Sequence, residues 1–372
     1  MFAKGFTPDH GGIESYSESV AVAWAELGFH VTVITQFDGA VGAEQRQQVT
    51  VINVGPGSQI QVFWRMWKAA RRFRKSIRPN LVHATTWRVA IPALLVFRDA
   101  PTAITIHGRE VTEMRGWLSW LMKRVVARTE RVLVISRSTL EQCLAMLPGL
   151  GEKAIVSWNG LSHVAEAERQ PKVWNKSPGQ SCRLYSLCRL VPRKNIAGAL
   201  EALAFVRANG VEAWEYCVGG DGEERGKLEA LATKLGIGDK VHFLGKVAEK
   251  DIGRLYREAD LFIHPQTAGP DGRDIEGFGL SIVDAMSFGT PVLAGRDGAP
   301  GEYLIDGETA YLVDGNDVRG LATRLQNLIG RFDELRKTGS RGRLWALRTL
   351  TWKEHVQRLW TDMTDDHRIG RM

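Results

Sequence analysis

Glu276-Gly-Phe-Gly-Leu-Ser-Ile-Val-Asp284 sets two carboxylates eight positions apart, with two glycines behind the first and an apolar run ahead of the second. An α-helix turns once in about 3.6 residues, so acids at this spacing share one helical face. The glycines fall where a loop would enter that helix. Exposed backbone N–H groups at a glycine-rich helix start form an anion site, and phosphate is its usual occupant. A phosphate cradle flanked by acids that can hold hydroxyls points to a nucleotide-sugar site.

A second constellation fits the same chemistry. Ser186-Leu-Cys-Arg189-Leu-Val-Pro-Arg193-Lys194-Asn195 reads as a strand running into a loop that presents Arg189 and Lys194. Two cations five apart around a turn can clamp a diphosphate, and cations so placed stabilise a nucleoside diphosphate as it departs. Arg193 is read as a bystander. Thr105-Ile-His107-Gly108 places a histidine at a strand end, and Pro8-Asp-His-Gly11-Gly12-Ile-Glu14 is a glycine loop ahead of an amphipathic helix. Cys217-Val-Gly219-Gly220-Asp221-Gly222 is not a dinucleotide fingerprint, because Arg225 stands where the third glycine of G-x-G-x-x-G belongs.

These residues need strands and helices in alternation to position them. Ile13, Tyr16, Val20, Trp24 and Leu27 make the apolar stripe of a first helix. Strands are predicted over 31–35, 81–83, 103–107 and 131–136, then over 183–187, 214–218, 241–244, 261–264 and 291–294. Short apolar strands between helices imply parallel sheets covered on both faces. The chain opens Met-Phe-Ala-Lys-Gly-Phe, so few residues precede the first glycine loop. That implies a very short first strand or a start placed too late.

The chain has 372 residues, which favours two domains, and 44% apolar content is enough to bury a core in each. The segment 162–181 is polar and carries two prolines, and is read as the region of a linker. Cys143, Cys182, Cys188 and Cys217 show no C-x-x-C spacing and read as buried small hydrophobes in a reducing compartment. No apolar run approaches the ~18 residues of a membrane span, and no signal peptide or solenoid repeat is visible.

Taken in order, these motifs resemble those of the GT-B fold glycosyltransferases of family 4, the glycosyl transferases group 1, a retaining group using nucleotide-sugar donors. The resemblance runs from Thr7 to about Trp360. It implies an α/β chain of two Rossmann-like doubly wound domains facing a central cleft. Residues 1–165 would be the acceptor domain, 166–181 the linker, 182–348 the nucleotide-sugar domain, and 349–372 a last helix returning to the first domain. It also implies the site roles. Gly11 and Gly12 let a loop approach the donor diphosphate, and His107 touches the sugar hydroxyls. Arg189 and Lys194 neutralise the leaving diphosphate, and Glu276 holds the sugar. Gly220 and Gly222 line the nucleotide side, and backbone around Leu244 frames the base. Amides near Gly277, Phe278, Gly279 and Leu280 contact sugar and phosphates. The second acid is commonly glutamate in this family; Asp284 is one methylene shorter and reaches the ribose directly or through a water. Asn159-Gly160 lacks the usual following aspartate, and Ala310 replaces a common glycine. No cofactor and no metal are expected. No residue pair here supplies a glycosidase-like nucleophile and acid; the leaving phosphate would help deprotonate the acceptor, with closure of the domains excluding water.

Two basic stretches stand apart from these motifs. Trp64 to Arg78 holds Arg65, Trp67, Lys68, Arg71 and Arg72 within a run of seven Lys/Arg and no acid. Residues 115–131 add Trp117, Trp120, Lys123 and Arg124. Tryptophan with Lys/Arg on one helix suits an anionic membrane surface. Residues 1–170 carry 20 Lys/Arg against 14 Asp/Glu, the remainder 29 against 28. The positive excess therefore lies in the domain expected to bind acceptor. No nucleic-acid motif accompanies it.

The expected protein is a metal-independent retaining hexosyltransferase, cytoplasmic and peripheral on the inner membrane face. It would move sugar from a UDP- or GDP-sugar to a lipid-linked or glycan acceptor of surface polysaccharide or glycolipid synthesis. The segment 267–276 resembles the acidic approach of some mannosyl-phosphoinositide transferases, which gives GDP-mannose a small preference. Two alternatives stay open: a nucleotide-sugar epimerase on the same fold, and a non-catalytic membrane- or partner-binding subunit. Residue types alone do not name the base, the acceptor, the linkage or the oligomeric state.

Overall fold

The computed structural model describes residues 1–369 except 10, 76, 178, 270, 271 and 273. The chain divides into two compact units, one built from Met1–Gly160 and the residues from Leu350 onward, the other from Leu161–Thr349. Six helices carry or support the site residues: α1 (Gly12–Glu26), α2 (Gln59–Arg74), α3 (Gly116–Arg128), α4 (Ile196–Ala208), α5 (Leu280–Phe288) and α6 (Trp352–Ile369).

The first unit contains β1 (Val31–Thr35), β2 (Gly42–Arg46), β3 (Val49–Asn53), β4 (Val82–Ala84), β5 (Thr102–Ile106), β6 (Arg131–Val134) and β7 (Ala154–Val156). Two ladders, β2-β3-β1 and β4-β5-β6-β7, are joined through Phe2, which bridges Ile34 and Ala84 in parallel. Phe2 N–H donates to His83 O at 2.8 Å and Ala3 N–H to Ile34 O at 3.0 Å, so the opening residues fill the middle of the sheet. The β2–β3 hairpin was not legible in the sequence: Gly42–Arg46 is polar and largely exposed, without the alternation that marks a half-buried strand.

Alternation decides what each strand face does. On β5, Ile104 and Ile106 enter the core beneath α2 and α3, beside Met66, Ala70, Met122 and Val126. Ala103 points the other way, into the layer of Tyr16, Val20 and Trp24 from α1 with Val356 and Leu359 from α6. Thr105 and His107 follow Ala103 at a period of two and so share its face. A Cβ on Gly160 would lie 2.5 Å from the Trp352 backbone nitrogen, and its absence lets α6 begin against the end of this unit's main segment.

The second unit is a six-stranded parallel sheet of β8 (Cys182–Leu187), β9 (Trp214–Gly219), β10 (Val241–Gly245), β11 (Leu261–His264), β12 (Val292–Gly295) and β13 (Tyr311–Val313). Its order is β10-β9-β8-β11-β12-β13, the doubly wound pattern, and the winding reverses between β8 and β11. Ligands of such sheets sit beyond the carboxyl ends of the strands at that reversal.

The segment 166–181, read above as a linker, is instead a strap on this unit. Lys176 Nζ lies 3.1 Å and Lys172 Nζ 3.6 Å from the carboxylate of buried Asp260, and Lys172 N–H donates to Phe288 O at 2.8 Å. Glu166, on a short helix at Val164–Arg169, pairs with Arg257 at 2.7 Å. Its polarity reflects these partners, not exposure alone. The four cysteines are free thiols; Cys143 and Cys182 are buried, Cys188 and Cys217 half-buried.

Candidate functional site

Two loops leave the reversal point of the second sheet. The one after β8 carries exposed Arg189, then a 3-10 turn over Pro192–Lys194. Asn195 stops that turn at a left-handed φ of 54° and caps α4 by accepting from Gly198 N–H at 3.2 Å. Its amide also donates to Pro265 O and Gly315 O, at 3.0 and 2.7 Å. The loop after β11 is pinned to the first where Thr267 N–H donates to Arg193 O at 3.0 Å. These ties turn Lys194 inward and bring Glu276 over it.

The result is a buried ionic cluster. Lys194 Nζ donates to Glu276 Oε2, and Arg193 Nη1 donates to the same oxygen at 2.9 Å. His264, the last residue of β11, lies with Nε2 3.2 Å from Lys194 Nζ and 3.3 Å from Glu276 Oε2. Asp274 completes the group, 3.2 Å from Arg193 Nε. Burial alone would raise the Glu276 carboxyl; Lys194, His264 and Arg193 together outweigh it and hold the group well below the usual carboxylate range. Burial, aided by Lys194, pushes His264 down to about 4. The imidazole is therefore neutral near pH 7, with Nε2 facing both the ammonium and the carboxylate. With His264 neutral, its contact with Glu276 is not an ion pair. Lys194 and Arg193 are balanced by Glu276 and Asp274, so the excess positive charge at the site comes from exposed Arg189, and Glu276 Oε1 takes none of these contacts.

Two expectations need correction. Glu276 and Asp284 do not share a helical face, because the helix starts only at Leu280; Gly279 at φ 87° ends the loop before it. Asp284 is buried inside α5, and its Oδ1 accepts Ser162 N–H at 2.8 Å. Burial raises its carboxyl above the ordinary value, against the lowering effect of His163 and the Ser162 bonds. Arg193 is no bystander, since it shares the Glu276 oxygen with Lys194. Spacing alone could not tell which consecutive side chains of a tight turn point inward.

The other second-unit residues lie around this centre. Gly220 and Gly222 support the Arg189 loop from below: a Cβ on Gly220, at φ 114°, would come 1.8 Å from Cys188 O, and one on Gly222 2.3 Å from Leu190 O. Leu244 is exposed beside an irregular register step between Phe243 and Gly245. Gly277 and Gly279 flank Phe278, whose ring is buried and whose carbonyl accepts from Tyr303 OH at 2.7 Å. Leu280 opens α5, where the N–H groups of Ile282 and Val283 are taken by Gly279 O and the helix start leaves those of Leu280 and Ser281 without an intrahelical acceptor. His264 went unnoticed in the sequence. Its signal, a histidine closing a strand at the sheet's reversal, is the one that picked out His107.

In the first unit His107 follows β5. Its Nε2–H donates to Thr85 O at 3.0 Å, and its backbone N–H donates to Glu110 Oε1 at 2.6 Å. That bond leaves Nδ1 as the ring's other polar atom. Gly11 and Gly12 open α1, and Glu14 folds back over them, so that a Cβ on Gly11 would meet its carboxylate at 2.2 Å. His10 of that motif, and Pro270, Asp271 and Arg273 of the segment ahead of Glu276, lie outside the described residues.

The basic helices divide. Trp117, Trp120 and Trp64 are 71%, 58% and 51% exposed, and Lys68, Arg71, Arg72, Lys123 and Arg124 are exposed with them. Arg71 stacks on Trp67 at 4.7 Å and Arg124 on Trp120 at 5.2 Å. Trp67 is half-buried against the core, and Arg65 is tied to the carbonyls of Val54 and Pro56, at 3.3 and 3.1 Å. No helix among the described residues is long and apolar enough to cross a membrane.

Comparison with known proteins gives a consistent picture. Residues 10–162 match the family described as Glycosyltransferase Family 4, and residues 168–345 match Glycosyl transferases group 1. The chain is 31% identical over 381 residues to a GDP-mannose-dependent alpha-(1-6)-phosphatidylinositol monomannoside mannosyltransferase of Mycobacterium tuberculosis, covering 95% of this chain and 94% of that one. It is 29% identical over 280 residues to a glycogen synthase of the same organism, covering 71% of this chain and only 64% of the synthase. Among solved structures, a sucrose-phosphate synthase from Thermosynechococcus elongatus superposes with a TM-score of 0.75 at 18% identity, over 100% of this chain and 96% of that one.

Proposed function

The chain belongs to glycosyltransferase family 4 and has the GT-B fold, and from this we propose that it moves a hexosyl unit, with retention, from a nucleotide sugar to a lipid-linked or glycan acceptor of surface polysaccharide or glycolipid synthesis. The carrying observation is the buried Lys194–Glu276–Arg193–His264 cluster at the reversal of a doubly wound sheet. Exposed Arg189 beside this balanced cluster, with Lys194 and the amides opening α5, favours a diphosphate. Glu276 Oε1 is left to accept a sugar hydroxyl. In the proposed mechanism Arg189, Lys194 and the amides opening α5 stabilise the charge that grows on the departing nucleoside diphosphate, which is the dominant need of such a reaction. Cations take that part without a metal. Asp284 serves the ribose, and His107 meets the sugar hydroxyls through Nδ1. The GDP-mannose dependence named for the mycobacterial relative supports a GDP-hexose before a UDP-hexose.

We further propose that the exposed Trp64, Trp117 and Trp120, with their basic neighbours, dock on an anionic membrane surface on the cytoplasmic side. Each basic residue at such a surface is worth about 1 kcal/mol. Sedimentation with phosphatidylglycerol vesicles, set against neutral vesicles, tests this docking separately from the chemistry.

The donor test is a thermal-shift panel of GDP-, UDP- and ADP-sugars in the presence of EDTA, with Lys194→Ala beside the parent. A shift for one base, lost in the variant, is the expected result. Proton NMR of the transferred sugar then reports the anomeric outcome. A folded protein that responds to no donor would sink the transferase proposal. Isomerised sugar from donor alone would replace it with an epimerase.

A further inference from the structure

A continuous chain of side-chain hydrogen bonds runs through the core of the first unit, and no step proposed above uses it. Trp24 Nε1–H donates to His83 Nδ1 at 3.2 Å, and His83 Nε2 lies 2.8 Å from Thr105 Oγ1. Thr105 Oγ1 lies 2.7 Å from Tyr16 OH, and Tyr16 OH 2.9 Å from His355 Nε2. His355 Nδ1 ends the chain 3.0 Å from Trp158 O. All five side chains are buried. They come from α1, β4, β5 and α6, so the last helix of the polypeptide closes a network begun by the first.

The two ends fix every proton between them. An indole nitrogen can only donate and a carbonyl can only accept. His83 must therefore accept at Nδ1 and hold its proton on Nε2, whereas His355 must hold its proton on Nδ1 and accept at Nε2. Thr105 then receives from His83 and donates to Tyr16, which donates to His355. No other arrangement of neutral groups satisfies all five links. Burial agrees with neutrality, pushing His83 down to about 3 and His355 to about 4.

The chain has an outlet toward His107. Thr105 precedes His107 by two residues on β5, so both side chains lie on one face. The Tyr16 ring spans them. Its hydroxyl bonds Thr105, and its ring meets the His107 imidazole edge-on, with centroids 4.8 Å apart at 88°. On its far side Tyr16 meets Trp352 and His355 of α6, each at 5.5 Å. Among the described residues the His107 ring is otherwise tied through Nε2 to the Thr85 carbonyl, and that bond leaves the ring plane open to rotation about it.

We infer that Tyr16 and His355 are positioning residues for His107: α6, through a hydrogen-bond chain with one possible proton order, clamps the ring that sets the imidazole plane. This rests on the proposed role of His107 as a substrate contact, although the clamp itself is a property of the fold.

The test uses the full chain with Tyr16→Phe, His355→Gln and His355→Ala. Imidazole 15N shifts should show His83 protonated at Nε2 and His355 at Nδ1 in the parent. Tyr16→Phe keeps the ring and removes the donor; His355→Gln offers an amide oxygen to Tyr16 and an N–H to Trp158 O. The His107 ring resonances should move in Tyr16→Phe and His355→Ala and stay near the parent in His355→Gln. In parallel, kcat should fall about tenfold in the first two, with donor KM within about twofold, because a misplaced contact costs rate before binding. Mixed tautomers in the parent, or His107 resonances unmoved in folded Tyr16→Phe, would overturn the inference. If His355→Ala does not fold, the two conservative variants still decide. If no sugar is transferred at all, the transfer proposal fails and the resonances alone decide the clamp.

Discussion

Each unit buries a polar centre beside the carboxyl ends of its parallel strands, and the two solve the problem of burial in opposite ways. The first unit uses neutral groups: Trp24, His83, Thr105, Tyr16 and His355 satisfy one another in a single proton order. The second uses charge: Lys194 and Arg193 share one oxygen of Glu276, with His264 neutral at the edge. A neutral chain can be complete in itself, because every donor finds an acceptor. The charged cluster balances Lys194 and Arg193 against Glu276 and Asp274, but it keeps Glu276 Oε1 out of those contacts and has exposed Arg189 beside it, so it offers an acceptor and a cation to a ligand. The difference teaches that the first centre is built to hold geometry and the second to receive a ligand.

The comparison breaks most readily at Lys194. Lys194→Ala leaves Glu276 buried with half its compensation and should cost about 3–5 kcal/mol in the second unit. Its kcat/KM should fall at least about 100-fold, the scale of one lost oxyanion-type donor. Pairing it with Glu276→Gln should restore much of the stability, read by urea unfolding, but none of the activity. Recovery of both would show the cluster to be structural.

The pH series asks whether the neutral centre is really neutral. His83 and His355 are held near 3 and 4 against an ordinary value of 6.5, so between those limits the unfolded chain binds protons that the fold refuses. The stability these two histidines contribute should be fully present above about pH 6.5 and be lost as pH falls toward about 4, with the buried Met1 amino group, lowered to about 5, adding a loss of the same sign from about pH 8. Each unit of displacement corresponds to about 1.4 kcal/mol. The second unit feels the same sign through His264, and Glu276 adds to the loss at lower pH, while Asp284, raised by burial, works the other way. Hydrogen exchange of β5 amides should therefore accelerate more steeply between pH 7 and 4.5 than that of β11 amides. Equal slopes would remove the contrast.

Gly220→Ala probes the support beneath the charged loop. The added Cβ meets a backbone carbonyl at a left-handed φ, where neither partner can yield cheaply. A loss of about 1–3 kcal/mol is expected, together with a several-fold rise in donor KM as Arg189 shifts. The smallest effect is expected from Asp284→Asn. The amide oxygen can still accept Ser162 N–H, and the penalty of ionising a buried acid disappears. Stability at pH 8 should hold or rise by up to about 1 kcal/mol, while donor affinity weakens a few-fold if the ribose contact is made. Calorimetric titration with nucleoside diphosphate reads the second half of that statement.

Residue types and spacing were sufficient for the parallel α/β plan, the glycine loops, and the naming of Lys194 and Glu276 as separate candidates, because these follow from local periodicity and from the chemistry a diphosphate demands. They could not place Glu276 before α5 instead of on it, since that turns on Gly279 adopting a left-handed φ. Nor could they show Arg193 turned inward, which depends on Asn195 arresting the 3-10 turn against two distant carbonyls. The polar strap over 166–181 read as linker because its partner, Asp260, lies far along the chain. Tyr16 and His355 are 339 residues apart, and nothing local to either announces the other. Sequence determined which chemistry each segment could offer. Tertiary structure decided which groups meet, because burial makes a polar group find its partner wherever the fold brings one.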